Sequence, residues 1–183
     1  MAGQDAMRED KMAGQVVLSI AASLDGRLAD AAGRVSFLDP YPASDFAFDE
    51  FVAGVGAILM GRTSYDRGRE LGPWPYGATP VLVLSHRPLD TELPFLKRFD
   101  GPISGAIAQL KAQTEKVIWI MGGGDVARQA LDANLVDRIE LAIVPELLGA
   151  GPLWRPDGVQ PTFKPVRSTL HATGALSIVL ERA

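Results

Sequence analysis

The chain reads as an α/β protein whose sheet is parallel at its centre and antiparallel at one edge. Three observations lead there. Short apolar runs, among them Val16–Ile20, Ala57–Met60 and Val117–Met121, read as strands buried on both faces. Segments with helical spacing alternate with them, the order that builds a parallel sheet. The chain then closes on two strands, about Thr162–His171 and Ala175–Glu181, joined at Ala172-Thr173-Gly174 as a hairpin.

Composition bounds the function. At 183 residues, with 47% hydrophobic and 22% charged, the chain is expected to be one ordinary globular domain. A net charge of −4 argues against non-specific nucleic-acid binding, which needs a basic face. There are no cysteines, and only His86 and His171 among the histidines, so thiol chemistry is excluded and no metal site is expected. No apolar run reaches membrane-spanning length. Residues 1–14 are polar and rich in Gly and Ala and read as a flexible tail, leaving 15–183 as the domain, expected to be cytoplasmic.

The elements follow in order. Gln15–Ala22 is a first buried strand ending in Ser23-Leu24-Asp25-Gly26, where Asp-Gly marks a turn. After a polar loop, Ser44 or Asp45 caps a helix whose apolar face is Phe48, Phe51, Val52 and Val55. Strand Ala57–Met60 runs into Gly61-Arg62 and another helix. A Pro/Gly/aromatic loop over Gly72–Pro80 leads to strand Val81–Leu84 and the trio Ser85-His86-Arg87. A short strand over Phe95–Phe99, a helix over Ile103–Lys111 and a long strand over Asp137–Pro145 complete the set.

The chemistry concentrates at strand ends. Val117–Met121 runs straight into Gly122-Gly123-Gly124 and a helix opening on Asp125 and Val126. Glycines there let backbone N–H groups approach an anion, and the helix N-terminus favours negative charge. Gly122, Gly124 and Ala127 also satisfy G-x-G-x-x-A, with Glu140 as a candidate acid, but the units that precede and follow do not suit a Rossmann domain. Arg62 follows a second strand, where a guanidinium can grip phosphate through paired bonds. Ser85, His86 and Arg87 follow a third.

Ser23-Leu24-Asp25-Gly26, Gly61-Arg62-Thr63-Ser64-Tyr65, Leu84-Ser85, Gly122-Gly123-Gly124 and Leu135-Val136-Asp137 through Pro145-x-x-Leu148-Gly149-x-Gly151-x-Leu153 come in a fixed order. Together they resemble the dihydrofolate-reductase-like superfamily, and most closely the C-terminal reductase domain of the bifunctional deaminase–reductases of riboflavin biosynthesis and its stand-alone relatives. The resemblance spans about Gln15 to Glu181. It implies a three-layer fold with a central, mostly parallel mixed sheet of about eight strands, flanking helices and a C-terminal antiparallel hairpin. It implies NADPH across the strand ends, with Arg62, Ser64, Ser85, His86 and Arg87 around the 2′-phosphate. Gly61 and Met121, with Gly122, Gly123, Gly124, Asp125 and Val126, would hold the rest of the cofactor, the last five cradling its pyrophosphate. Ala22, Ser23 and Asp25 would border the nicotinamide and substrate. Relatives of this kind commonly form homodimers.

Two departures bear on the substrate. Met121 stands where the riboflavin reductases usually carry Glu, and Ser64 replaces Thr with its hydroxyl kept. Asp45 is a candidate for substrate binding or proton supply, although an acid at a helix start also simply complements the dipole. Trp74 is a candidate wall for a flat substrate. The expectation is an NADPH-dependent reductase acting on a small heterocyclic or carbonyl substrate, with Asp45 and Asp25 as candidate catalytic groups. A non-catalytic nucleotide-binding or regulatory protein, or a true riboflavin-pathway or pterin reductase, are the alternatives.

Overall fold

The structure, a computed structural model, describes residues 14–70 and 72–183. The tail expected over 1–14 thus lies outside the described residues apart from Gly14.

Eight strands form one sheet in the order β4-β3-β2-β5-β1-β6-β8-β7. They are β1 (Val16–Ser23), β2 (Val55–Gly61), β3 (Val81–Leu84), β4 (Leu96–Phe99), β5 (Val117–Gly122), β6 (Arg138–Val144), β7 (Phe163–Leu170) and β8 (Leu176–Arg182). The six strands from β4 to β6 run parallel, while β8 is antiparallel to both β6 and β7. The hairpin therefore closes one edge, as its turn residues require.

Helices α1 (Phe48–Ala53), α2 (Arg62–Glu70), α3 (Ile103–Lys111) and α4 (Gly124–Asp132) flank the sheet. The spacing Ile103, Ala106, Ile107, Leu110 puts four buried side chains on one stripe of α3. This stripe and the buried face of α4 cover Leu18, Leu59, Ile118 and Ile120 on one side of the sheet. On the other side Phe51 of α1 and Tyr65 of α2 cover Val17, Ile58, Val83 and Trp119. Alternation along each strand divides these residues between the two faces.

Two local expectations are corrected. Val55 opens β2 instead of closing a helix face. Neither Ser44 nor Asp45 caps α1. A 3-10 turn over Ala43–Phe46 intervenes, its own N-cap is Pro42, and α1 starts from Ala47 at φ 50° with no side-chain cap.

Candidate active site

The carboxyl ends of β2 and β5 are neighbours, and each leads directly into a nine-residue helix, so the N-termini of α2 and α4 converge. The three glycines at the junction of β5 and α4 have different physical reasons. Gly122 lies at φ +101°, a conformation L side chains rarely adopt. A Cβ on Gly124 would stand 2.0 Å from the Leu153 carbonyl oxygen, so glycine is needed there for packing. Gly123 is joined to Gly122 by a cis peptide bond and is not crowded. Its φ is −70°, and a Cβ would meet only Ser64 Oγ at 3.7 Å and Leu28 Cδ1 at 3.9 Å. Packing leaves open space beside the backbone at this position, where a ligand could pass close to it. The first main-chain bond into α4 is Ala127 N–H to Gly123 O, so the N–H groups of Gly124, Asp125 and Val126 precede the helical ladder. The Asp125 carboxylate turns along the helix to Arg128 and Gln129, at 2.7 Å each. The Arg128 bond, then that from Gln129, lowers its pKa. Asp125 can meet a ligand through its main chain. Val126 packs on Gly61, where a Cβ would stand 2.9 Å from Val126 Cγ2.

The cations expected at the strand ends divide. Arg62 Nε donates to both carboxylate oxygens of Asp66 (2.7 and 2.9 Å), and Nη1 donates to the Pro88 carbonyl at 2.8 Å, pinning the loop after β3. Arg87 lies on that loop with its side chain exposed. Ser85 Oγ donates to the Arg87 carbonyl and accepts from the Arg87 N–H, so it shapes the turn. His86 Nδ1 lies 2.7 Å from Asp100 Oδ1; that contact, reinforced by Arg98, holds the Asp100 carboxyl below its usual range. Ser64 departs from the expected grouping. It stands beside Gly123, on the wall of a cavity of about 650 Å³.

That cavity is assembled by the tertiary structure from distant strands. Its floor is the open face of β1, β6, β8 and β7. The registers place Ser19, Glu140, Val179 and Arg167 in one lateral row, and Ala21, Ala142, Ser177 and Thr169 in the next. All eight line the cavity. Its other wall is aromatic. Phe48, Phe51 and Tyr76 each meet the Trp119 ring edge-on, at 5.6, 5.4 and 5.2 Å between centroids. Trp119 Nε1 donates to the Ser19 carbonyl at 3.0 Å, and Met121 faces the same space.

Several expected residues fall elsewhere. Ala22 is buried in the opposite core, because it is one residue out of phase with the cavity-facing Ser19 and Ala21. Ser23 is buried in the turn, where its hydroxyl donates to Asp25 Oδ1 (2.7 Å) and accepts from Arg27 N–H. Asp25, expected as a catalytic and substrate-binding candidate, is engaged in the turn after β1. It accepts from Ser23, from Leu148 N–H (3.0 Å) and from Gly149 N–H (2.8 Å), clasping the loop after β6 to the turn after β1. The Ser23 bond first, then those backbone bonds, hold its carboxyl far below the usual range. Trp74 does not reach the cavity. It stacks edge-on behind Tyr76 at 5.1 Å and lines a separate cleft with Tyr65 and Arg69; Tyr76 is the wall. Asp45 does line the cavity, at its rim, and accepts a bond from Thr173 Oγ1 at 3.2 Å. Alongside, the Phe46 and His171 rings lie 4.9 Å apart. The sequence pattern does not single out the row residues of β7 and β8 as site residues. Glu140, the candidate acid of the G-x-G-x-x-A pattern, receives Arg138 Nε at 2.9 Å on the cavity floor. Among the described residues, no cluster of three or more His, Cys, Asp or Glu is placed to hold a metal.

Strand order, helix placement and the cleft at the strand ends define a dihydrofolate-reductase-like α/β fold. The chain belongs to the RibD C-terminal domain family, whose model matches residues 15–177. It is 27% identical over 139 residues to the uncharacterized protein YwjB of Bacillus subtilis strain 168, covering 75% of this chain and 80% of that one. The fold matches the crystal structure of a protein assigned to riboflavin biosynthesis from Shewanella sp. PV-4, with TM-score 0.83, 25% identity, and coverage of 92% of this chain and 99% of that one. It also matches Enterococcus faecalis dihydrofolate reductase in complex with NADP(H), with TM-score 0.68, 16% identity, and coverage of 93% and 98%. The domain is that of a reductase family.

Proposed function

We propose that this protein is an NADPH-dependent reductase acting on a small heterocyclic or carbonyl compound. The observation that carries this reading is Gly123, beside whose backbone packing leaves open space, set where two helix N-termini converge and open onto the cavity. The missing side chain and free N–H groups fit a dinucleotide pyrophosphate. The cofactor, when bound, supplies the hydride.

The protein's own part is positioning. The main chain of Gly122–Val126 holds the diphosphate, and Ser64 marks the passage from that cradle into the cavity. Arg87, on the loop that Arg62 pins, is the group available to a 2′-phosphate. The aromatic wall excludes water from the reacting face, and the rows on β1, β6, β8 and β7 offer polar anchors to the substrate. Asp45, at the rim, is the candidate for substrate binding or proton supply.

Titration with NADPH and NADH, followed by tryptophan quenching, tests the reading. Saturable NADPH binding at least tenfold tighter than NADH supports it. Absence of binding by either dinucleotide would sink it.

A further inference from the structure

Behind the cavity floor the sheet has a second face of a different kind. The registers put Ile143, Leu176 and Leu170 in one lateral row and Leu141, Ile178 and Ser168 in the next. These rows alternate with the cavity rows, so they lie on the opposite side of β6, β8 and β7. The cavity side carries Glu140, Arg167 and Ser177. The opposite rows hold five aliphatic side chains, one serine and no charge.

The core stops short of this face. Helices α2, α3 and α4 pack chiefly on β2, β3 and β5. Leu180 and Ile143 still reach the core beneath α3 and α4, but Leu176, Ile178 and Leu170 belong to neither core among the described residues. Leu170 is 76% exposed, and so is 72% of Leu147 in the loop after β6. A single exposed leucine is ordinary, whereas a charge-free aliphatic sheet face calls for another layer.

Shape and charge say what that layer is. Lys164, Pro165 and a bulge before Arg167 occupy the edge strand β7, and each discourages an added strand. A partner therefore meets the face instead of extending the sheet. Three strands side by side form no groove for a single helix or an extended peptide; they suit a second sheet stacked about 10 Å away. The chain carries a net charge of −4, so two copies approach most easily where neither presents a charge, as in these rows. A two-fold axis sets the patch against itself, aliphatic row on aliphatic row. With β6 and β8 each seven residues long, the face spans about 23 by 14 Å, the scale of a small reversible interface.

We propose that this protein forms a two-fold dimer through the face of β6, β8 and β7 opposite the cavity, centred on the row Ile143, Leu176 and Leu170. The cavity of each copy then points away from its partner and stays open.

Sedimentation velocity over loading concentrations from about 1 to about 100 µM tests the proposal. The wild-type mass is expected to rise from near the 19.6 kDa of one chain toward twice that value. Leu170→Glu and Ser168→Arg, both at exposed positions on the face, should each weaken association at least tenfold while keeping the wild-type circular dichroism. If one of them does not fold, the other decides. Leu93→Glu, at an exposed leucine on the loop before β4, should leave association unchanged. A wild type that stays at the mass of one chain would give the face to some other occupant and overturn the proposal. So would a dimer indifferent to a folded Leu170→Glu or Ser168→Arg variant, or one that Leu93→Glu weakens equally.

Discussion

The Trp119 indole N–H reaches across from β5 to the Ser19 carbonyl on β1, at 3.0 Å, and in doing so fixes the plane of the cavity's aromatic wall. Trp119 is 3% exposed and is braced by three aromatic edges, so its ring has one orientation. Trp119→Phe removes the donor and leaves the Ser19 carbonyl without it. A loss of about 2 kcal/mol in unfolding free energy is expected, read from denaturant melts. An unchanged midpoint would show that the bond contributes nothing net.

Adjacent glycines are expected to fail in opposite ways. Gly123→Ala places its Cβ at ordinary contact distances and keeps the fold, but obstructs the ligand path, so NADPH affinity drops at least tenfold at wild-type Tm. Gly124→Ala drives a Cβ against the Leu153 carbonyl and lowers Tm whether or not cofactor is present. Thermal melts with and without NADPH separate the two. A Gly123→Ala protein with unimpaired affinity would refute the cradle.

The two arginines separate similarly. Arg87→Ala is expected to reduce the preference for NADPH over NADH while leaving Tm unchanged, because its side chain is exposed. Arg62→Ala is expected to lower Tm as well, because Asp66 and the Pro88 carbonyl lose their partner. Wild-type selectivity in the double variant would remove both residues from the cofactor site.

Asp25 makes stability depend on pH. Its folded pKa is depressed, so the clasp's contribution is fully present above the unfolded carboxylate value of about 4 and is lost as pH falls toward the lower folded value. Asp25→Asn should therefore melt below wild type at pH 7, with the gap narrowing as the pH is taken below about 4. A gap that stays constant over that range would deny the carboxylate this role.

Much of this was legible in the chain. Apolar runs ending in glycine mark β2 and β5 because a strand buried on both faces has no polar side to display, and a strand-to-helix turn at close quarters needs glycine. Helix α3 was readable to the residue from its i, i+3, i+4, i+7 stripe. Gly122–Gly124 were readable as a group, although the separate reasons for Gly122, Gly123 and Gly124 depend on a backbone angle and on a carbonyl from residue 153. Asp25 next to Gly26 reads as a turn, but its carboxylate is explained by Leu148 and Gly149, which lie more than 120 residues away. The cavity floor was not legible at all. Glu140, Ser177 and Thr169 look like the outward residues of ordinary strands until the antiparallel register of β6, β8 and β7 aligns them with Ser19 and Ala21. Local pattern determines which residues form strands, helices and turns, because those preferences act over a few residues. Which face of the sheet a helix leaves open, and so which polar side chains share a cavity, is decided by strand order and register, which the chain settles only when distant segments pair.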